Sequence, residues 1–441
     1  MLKHSQFQLV EIRERTIFYW IDALLLVFSL LGDLLLQTSL GTYLFIFYMV
    51  LRLCFSSIER NFALLMMLVP NLGVMYVIFA DIYIPALNLL IGVALVKILL
   101  EFKKTSLSFS YFLLILFFIG YEWAHAGGYL FSSLPRLFSW TIAIVYVAFF
   151  LYYSKDRYSH TLVMKYFLAG LVVSVTIGVV EFYGKYGTLL SNNATIRFNG
   201  GAGDANYFSL YIMLGLFSML LLIEKKRSIL MKIIFPFLFL ILFAFGILSL
   251  SRMFLLVVTT IILILLGRIL IGLRENKRQL RFLVTISTIA GIVLIYFQEK
   301  VLSLIELLLS RFTDFLNDPS MLTSNRNVIA EEYFYYMNSS VDKTIFGIGI
   351  QDYHERSGIF LETHNILLEL FVVWGVVGFF VFAVFLCALF KQASNKPIRE
   401  TKLINWLPLL CMAVCYLSLN AMSNESFFLL LAFTLKHIFD L

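Results

Sequence analysis

Long apolar runs alternate with short polar stretches along almost the whole chain. Fourteen runs approach the length of a helix that crosses a bilayer, roughly 17–25 residues. They lie at 17–36, 40–57, 62–80, 82–100, 108–124, 134–154, 161–183, 206–223, 231–250, 252–273, 281–298, 364–390, 403–420 and 425–440. Pro70, Asp81 and Pro85 interrupt the third and fourth runs. The pattern therefore predicts twelve to fourteen transmembrane helices.

Composition narrows the class of protein. Of the 441 residues, 61% are hydrophobic and only 14% are charged, and the mean hydropathy is +0.90. Soluble domains are about half apolar and a quarter charged, and disordered chains are less apolar still. An outer-membrane barrel would keep a modest mean hydropathy because its strands alternate. We therefore expect an all-α polytopic membrane protein, with residues 1–441 forming a single transmembrane domain.

The basic residues divide into two populations. Following the alternation of the spans, nine of the 34 Lys and Arg residues fall on one side and the others on or near the opposite side. The basic-rich side is cytoplasmic by the positive-inside rule, so both termini are predicted to be cytoplasmic. The net charge of +7 then reflects topology, and no basic soluble face indicates a nucleic-acid partner.

The N-terminus and the cysteines fit the same class of protein. The N-terminus lacks a short apolar stretch with a small-residue cleavage site, so the first apolar run is expected to remain as a span. The four cysteines lie in apolar runs without metal-ligand or disulfide spacing.

The predicted outward side carries the long connections. One is 184–205, and the other is 299–363, which contains an apolar helix-like run at 301–316 and a second helical stretch at 330–336. Loops of this length in a compact domain are commonly functional. We expect short helices here that lie on the outer face of the membrane or dip into it.

Several polar groups on the outward side have unusual positions. Arg252 interrupts an apolar stretch of about forty residues, and it either marks a turn between spans or faces an external anion. Arg197 precedes a glycine cluster and Asn206, which fits either a flexible loop or a close backbone approach to a ligand. The cluster lacks the Gly-Lys-Ser/Thr of a P-loop and the strand context of a dinucleotide fold.

His364 is the sharpest of these features. It begins the span that follows the large loop, with Asn365 beside it and Glu369 about one turn further along. Ionisable groups at the entrance of a span are costly and often functional, although an interfacial histidine is the simpler alternative. His125 also falls on the outward side, and we interpret it as such an interfacial residue.

The spacing around His364 resembles a known signature. His364-Asn365 is followed after nine residues by Gly375 and, after two further residues, by Gly378. This pattern resembles the closing signature of the O-antigen ligase and Wzy-type polysaccharide polymerase superfamily. Earlier features agree in order: the block 197–206, the Ser-Arg pair at 251–252 followed by apolar residues, Arg326 in the large loop, and the segment 346–350. The resemblance covers about residues 190–380, while the N-terminal third matches only in being polytopic.

The resemblance implies a membrane-embedded glycosyltransferase of the GT-C type. Its active site would lie on the outer face of the cytoplasmic (inner) membrane. Its donor would be an oligosaccharide linked to a polyprenyl diphosphate such as undecaprenyl diphosphate, in contact with membrane lipid. A chain-length regulator protein is a further candidate partner. The resemblance implies no metal and no other cofactor, and the sequence contains no Asp-x-Asp motif.

This chemistry suits the residues. Arginine forks can hold a diphosphate bidentately and stabilise the charge that develops on the leaving group. Histidine can remove the proton of an acceptor hydroxyl. The expected reaction is a metal-independent, inverting single displacement. The predicted catalytic residues are His364, Arg326 and Arg252. The predicted diphosphate- and glycan-binding residues are Arg197, Asn206, Asn365, Glu369, Gly347 and Gly349.

Alternatives remain within and beyond this family. The preferred interpretation is a polymerase that adds one lipid-linked glycan to another. A ligase that transfers the glycan to a lipid A core or a protein shares the same motif spacing. A lipid-linked glycan transporter is less favoured, because the chain has no visible internal repeat and its unusual charges lie at the outer edge of the spans.

Overall fold

The computed structural model describes most of the chain, with gaps. The described residues are 2–79, 82–101, 109–126, 130–154, 159–188, 196–225, 229–260, individual positions within 281–309, 326–350, individual positions within 353–359, 361–394, 401, 403–420, 424 and 426–439.

Helices dominate the described residues. They are α1 (Leu2–Leu36), α2 (Leu40–Phe55), α3 (Ile58–Leu68), α4 (Ala86–Glu101), α5 (Phe109–Ala126), α6 (Leu130–Tyr153), α7 (His160–Tyr186), α8 (Ala205–Lys225), α9 (Ile229–Leu248), α10 (Arg326–Asn338), α11 (Val341–Phe346), α12 (Ile366–Ala393), α13 (Leu403–Tyr416) and α14 (Ser426–Phe439). Short 3-10 turns occupy Val69–Val74 and Gly200–Ala202. Residues 252–260 are also helical, as are the described positions from 281 to 309.

The apolar helices have the dimensions of membrane spans. Within the described residues, four are long and apolar enough to cross a bilayer: Phe18–Leu36, His160–Tyr186, Ala205–Leu222 and Ile366–Ala393. Six shorter apolar helices accompany them. Many large side chains on these helices are exposed although they are apolar, as lipid-facing positions are. The chain is a helical membrane protein, while its total of twelve to fourteen spans stays a prediction.

The predicted third and fourth spans are wrong in detail. The run 62–80 does not form one helix, because α3 ends at Leu68 and a 3-10 turn containing Pro70 follows. Proline lacks the backbone N–H that a continuing helix needs. The chain then forms an antiparallel hairpin of β1 (Tyr76–Phe79) and β2 (Ile82–Pro85), with Val77 opposite Ile84. This short hairpin is an addition to a structure that is otherwise helical in its described residues.

The large loop contains the short helices that its sequence predicted, with different limits. The predicted stretch 330–336 lies inside the longer helix α10, and α11 was not anticipated. The apolar run 301–316 is helical at its described positions, which end at 309. Since the described positions between 281 and 309 are all helical, no boundary is visible at the predicted loop start of 299.

A buried hydrogen-bond network around Asp22 joins α1 and α2 to α7. The Asp22 carboxylate is fully buried and accepts hydrogen bonds from Nε and Nη2 of Arg52, each at 2.9 Å. The hydroxyls of Tyr48 and Tyr166 donate to the same carboxylate, at 2.5 and 2.9 Å. A charge inside an apolar bundle requires such compensation, so this network specifies how α1, α2 and α7 pack.

Helix α12 is interrupted at Gly375, where the backbone has φ 61° and ψ −165°. The segment 346–350 packs against this break. The amides of Ile348 and Gly349 donate to the carbonyls of Val372 and Val373, at 3.0 and 2.8 Å. The Tyr121 hydroxyl donates to the Trp374 carbonyl at 2.8 Å. Backbone groups freed by a helix break in an apolar interior need partners, and these contacts supply them.

A further side chain locks the same junction. Glu122 on α5 is 1% exposed and accepts from the Ile350 amide at 2.8 Å. Its other carboxylate oxygen accepts from the Trp374 indole Nε1. The carboxylate therefore ties α5, the 346–350 segment and α12 together.

We predict that Gly375→Ala strongly destabilises the protein. A Cβ at this position would lie 2.5 Å from the Gly347 nitrogen and the Ile345 oxygen, and φ 61° is already unfavourable for alanine. Strain and clash together should cost more than about 3 kcal/mol. The measurement is thermal unfolding in detergent. Gly120→Ala is the control, since nothing lies within 4 Å of the added Cβ there, and equal melting temperatures for the two variants would refute the argument.

Candidate functional site

The predicted Arg197 block is built on the N-terminus of α8. Asp204 caps this helix, because its Oδ1 accepts from the amides of Asn206 and Tyr207 at 2.8 and 3.1 Å. Arg197 lies across the same turn and donates from Nη2 to Asn206 Oδ1 at 2.7 Å. The preceding glycine turn is fixed by Gly201, whose amide donates to Ser174 Oγ on α7 at 2.8 Å. The loop is thus anchored at both ends.

The turn between α9 and the helical segment 252–260 joins this block. Arg197 Nε donates to the Ser249 carbonyl at 2.9 Å, and Ser251 Oγ approaches Asn206 Oδ1 at 3.4 Å. Leu250 adopts a left-handed backbone with φ 49°, which closes the turn. Arg252 follows Ser251 and begins the next helix. The interpretation of Arg252 as a turn marker is therefore consistent with its position, and the turn lies against the predicted Arg197 site.

The segment before α12 presents His364. Its backbone lies in the left-handed region with φ 47°, and the side chain is half-buried. Asn365 caps α12, because its Oδ1 accepts from the amides of Leu367 and Leu368 at 2.9 and 3.2 Å. Histidine and asparagine enter the left-handed region more readily than most residues, but such a conformation still needs support from its surroundings.

Two tyrosines of the large loop support this segment. The Tyr333 hydroxyl on α10 donates to the Leu361 carbonyl at 2.9 Å, and the Thr363 amide donates to the Tyr353 hydroxyl at 3.4 Å. Burial raises the pKa of Tyr333 to about 12 and raises the pKa of Tyr353 further. Both phenols therefore remain protonated at neutral pH.

Opposing charges surround His364. Burial lowers the pKa of His364 below its ordinary value of 6.5, and the Arg326 guanidinium lowers it as well. The carboxylates of Glu362 and Asp204 act in the opposite direction without cancelling these effects. Burial also lowers the pKa of Arg326, while the negative charge of Asp204 acts to raise it. The imidazole is therefore neutral at pH 7, beside an arginine that remains charged.

The turn between α13 and α14 completes the site. Asn420 is 2% exposed, and its Nδ2 donates to Glu362 Oε2 while its Oδ1 accepts from Thr363 Oγ1 at 3.2 Å. The Tyr207 hydroxyl donates to the Asn420 carbonyl at 2.5 Å. Asn420 thus connects the α8 turn to the segment that carries His364.

The structure brings most of the predicted site residues to one end of the bundle. We call the turns 197–206 and 249–252, Arg326, the segment 361–365 and Asn420 the site end. The charge distribution had placed 184–205, Arg252 and 299–363 on one side of the membrane, and residues 197–205, Arg252, Arg326 and 361–363 from these segments belong to the site end. That this side is the outer face stays a prediction.

Four predicted binding residues have packing roles in the structure. Asn365 is the α12 cap, while Gly347 and Gly349 lie against the α12 break. A Cβ on Gly347 would overlap the Val373 carbonyl oxygen. Glu369 is fully buried in the first turn of α12. Contacts of these four residues with a glycan or diphosphate stay predictions.

Three site residues were missed by the sequence interpretation: Asp204, Glu362 and Asn420. Asp204 could have been found as a helix-capping residue before an apolar run. Glu362 is close to His364 in sequence, whereas no sequence signal connects Asn420 to it. The interpretation of His125 as an ordinary interfacial residue stays a prediction. Its Nδ1 lies 2.7 Å from the Tyr121 carbonyl oxygen, one turn earlier in α5.

Comparison with known proteins finds no similar protein. The chain matches no protein-family model, no curated protein and no solved structure. The resemblance of its motifs to polysaccharide polymerases and ligases therefore stays a prediction. Among the described residues, no group of three or more His, Cys, Asp or Glu side chains is placed to hold a metal ion.

We predict that Arg326→Gln raises the pH at which His364 becomes reactive. Diethyl pyrocarbonate modifies neutral imidazole, so the rate of His364 modification should rise with pH around its pKa. In the native protein the midpoint should lie below pH 6.5. Removing the cation removes one cause of the lowered pKa, so the midpoint should move upward.

The modification is followed at the His364 peptide by mass spectrometry. Lys343→Gln removes a partly exposed cation on the neighbouring helix α11. It serves as the matched control and should leave the midpoint in place, because Lys343 is not among the charges that act on His364. An unchanged midpoint in Arg326→Gln would mean that the guanidinium does not act on His364.

Proposed function

We propose that this protein is a glycosyltransferase that polymerises a surface polysaccharide from glycans carried on a polyprenyl diphosphate. The observation that carries the proposal is the juxtaposition of a neutral, half-buried His364 with Arg326 at the site end. The ordered motifs of the family resemblance supply the reaction class. The GT-C type, the inner membrane and an outward-facing site belong to the same proposal.

His364 would act as the general base. A neutral imidazole can accept the proton of the acceptor sugar hydroxyl as that oxygen attacks the anomeric carbon of the donor. The bond from that carbon to the diphosphate breaks in the same displacement, and the configuration inverts. A lowered pKa keeps the imidazole unprotonated at neutral pH, although it also makes the base weaker.

Arg326 would stabilise the departing diphosphate. Its guanidinium is partly buried, and a fixed cation in a partly dry site favours the charge that develops in the transition state. Arg252, at the start of the adjacent helix, is the second candidate. Arg197 already holds the Ser249 carbonyl and Asn206, so its first contribution is to order the α8 turn.

A ligase is the second candidate, because the predicted motif spacing is common to both activities. A strain that lacks the gene separates the two. We expect single repeat units on the carrier or on lipid A, because polymerisation would stop after one unit. Long chains that accumulate on the carrier would instead indicate a ligase, and the surface polysaccharide is compared by gel electrophoresis.

We predict that His364→Asn abolishes polymer formation while the protein still folds. Asparagine tolerates the left-handed backbone at φ 47°, so this variant removes the base without the strain that alanine would add. The rate should fall by about 10²–10⁴-fold, the usual contribution of a general base. Turnover of a purified lipid-linked donor is measured in detergent.

The same substitution at His125 provides the control, because the hydrogen bond and the ring contact of this histidine are both to Tyr121, which does not belong to the site end. His125→Asn should retain native turnover. Full-length polymer from His364→Asn would refute the assignment of the base. Translocation of lipid-linked glycan without turnover would instead favour the transporter.

A further inference from the structure

We infer that Asn420 is a positioning residue for His364, holding the 362–364 segment against the N-terminus of α8; the catalytic part of this inference rests on the proposed function. The residue lies in the turn between α13 and α14, more than fifty residues from His364 in sequence. Its role follows from three hydrogen bonds, the strained backbone that they support and the charges that they orient.

The polarity of these hydrogen bonds is fixed by their partners. A carboxylate accepts hydrogen bonds and cannot donate them, so the amide NH₂ of Asn420 must face Glu362. Its carbonyl oxygen then accepts from the Thr363 hydroxyl at 3.2 Å. Both ends of the side chain are used, and the residue is 2% exposed. Reversing or removing either end leaves a buried polar group without its bond.

Both side-chain bonds reach residues directly before His364. The left-handed backbone at φ 47° is unfavourable for a residue with a Cβ, and the surrounding contacts must offset that strain. The α12 cap at Asn365 fixes one end of this short segment, and the Asn420 bonds fix the other. The direction of the imidazole therefore depends on both.

The backbone of Asn420 extends this connection to the other half of the site. Its carbonyl accepts from Tyr207, which stands next to Asn206 in the first turn of α8. Asn206 is in turn held by Arg197. Displacement of Asn420 would therefore loosen the contact between the Arg197 block and the His364 segment.

Orientation of Glu362 also sets part of the charge around His364. Arg326 on α10, Asp204 before α8 and Glu362 are the charged groups that act on the imidazole. A further carboxyl group, that of Glu369, is buried in the first turn of α12. Of these charged groups, Glu362 is the closest to His364 in sequence. Asn420 holds the Glu362 carboxylate in place by its hydrogen bond.

The decisive experiment first removes the donor of the Asn420–Glu362 hydrogen bond and then restores the bond with donor and acceptor exchanged. In Asn420→Asp, two carboxylates face each other, and turnover at pH 7.5 should fall by about tenfold or more. The pair can share a proton at lower pH, so the ratio of variant to native turnover should rise as the pH falls.

The double variant combines Asn420→Asp with Glu362→Gln. Its introduced glutamine amide donates to the introduced aspartate, so turnover should return to within about threefold of native.

Glu362→Gln alone is the matched control. Glutamine can still accept from Asn420 through its oxygen, so the bond persists while the charge is lost. This variant keeps the bond and loses the charge, so its turnover measures what the Glu362 charge alone contributes. It should lower the pH midpoint at which diethyl pyrocarbonate modifies His364, whereas the double variant, with a negative charge one hydrogen bond away, should retain a midpoint near native.

Several results would overturn the inference. Native turnover in Asn420→Asp, or a folded double variant that is no more active than the single one, would each do so. If Asn420→Asp is not recovered as monodisperse protein, Asn420→Ala replaces it. That variant should lower turnover and shift the His364 midpoint, and no change in either would exclude a positioning role.

Failure of the proposed function gives a different result. If the native protein does not turn over a lipid-linked donor, or if His364→Asn does so normally, the assigned activity is wrong. The modification midpoint of His364 still responds to Asn420 in that case, because this chemical readout does not require catalysis.

Discussion

Backbone hydrogen bonding in an apolar surrounding is the constraint on which the site depends. A helix that breaks inside the bundle exposes carbonyls that lipid and apolar side chains cannot satisfy. At the Gly375 break, the amides of Ile348 and Gly349 meet this requirement. Docking of that segment positions α11 and α10 before it, and the chain then returns to α12 through His364. The break at Gly375 thus fixes the position of the segment 346–350, which is the part of the large loop that packs against it.

The second constraint is the balance of charge at the site end. His364 is half-buried beside a cation, and both conditions favour neutral imidazole. The carboxylates of Glu362 and Asp204 limit this effect, and each of them is held in place by hydrogen bonds to its neighbours. An anionic leaving group brought to Arg326 would alter the same balance. Its arrival would offset the cation and make His364 a stronger base when the acceptor is present.

Hydropathy predicted the helical membrane class and most of the described helices, because the apolar runs are long and the polar breaks between them are clear. It failed at 62–80, where mean hydropathy does not register a proline-induced turn and a hairpin whose side chains are equally apolar. Of the residues that the motifs singled out, Arg197, Asn206 and Ser251 lie together, and Arg326 acts on His364. Asn420 could not be predicted, since its partners are distant in sequence and an isolated asparagine in a turn has no periodic signature.

The geometry also separates the parts of the His364–Gly378 motif by physical role. Asn365 caps a helix, Gly375 permits its break, and a Cβ on Gly378 would overlap the Trp374 side chain. These positions maintain a scaffold, and His364 alone among them faces the charged groups of the site. Under the proposed function, a polymerase and a ligase would share this scaffold and the same leaving-group chemistry. The difference between them would then lie in the surface that receives the acceptor, which the motif does not encode.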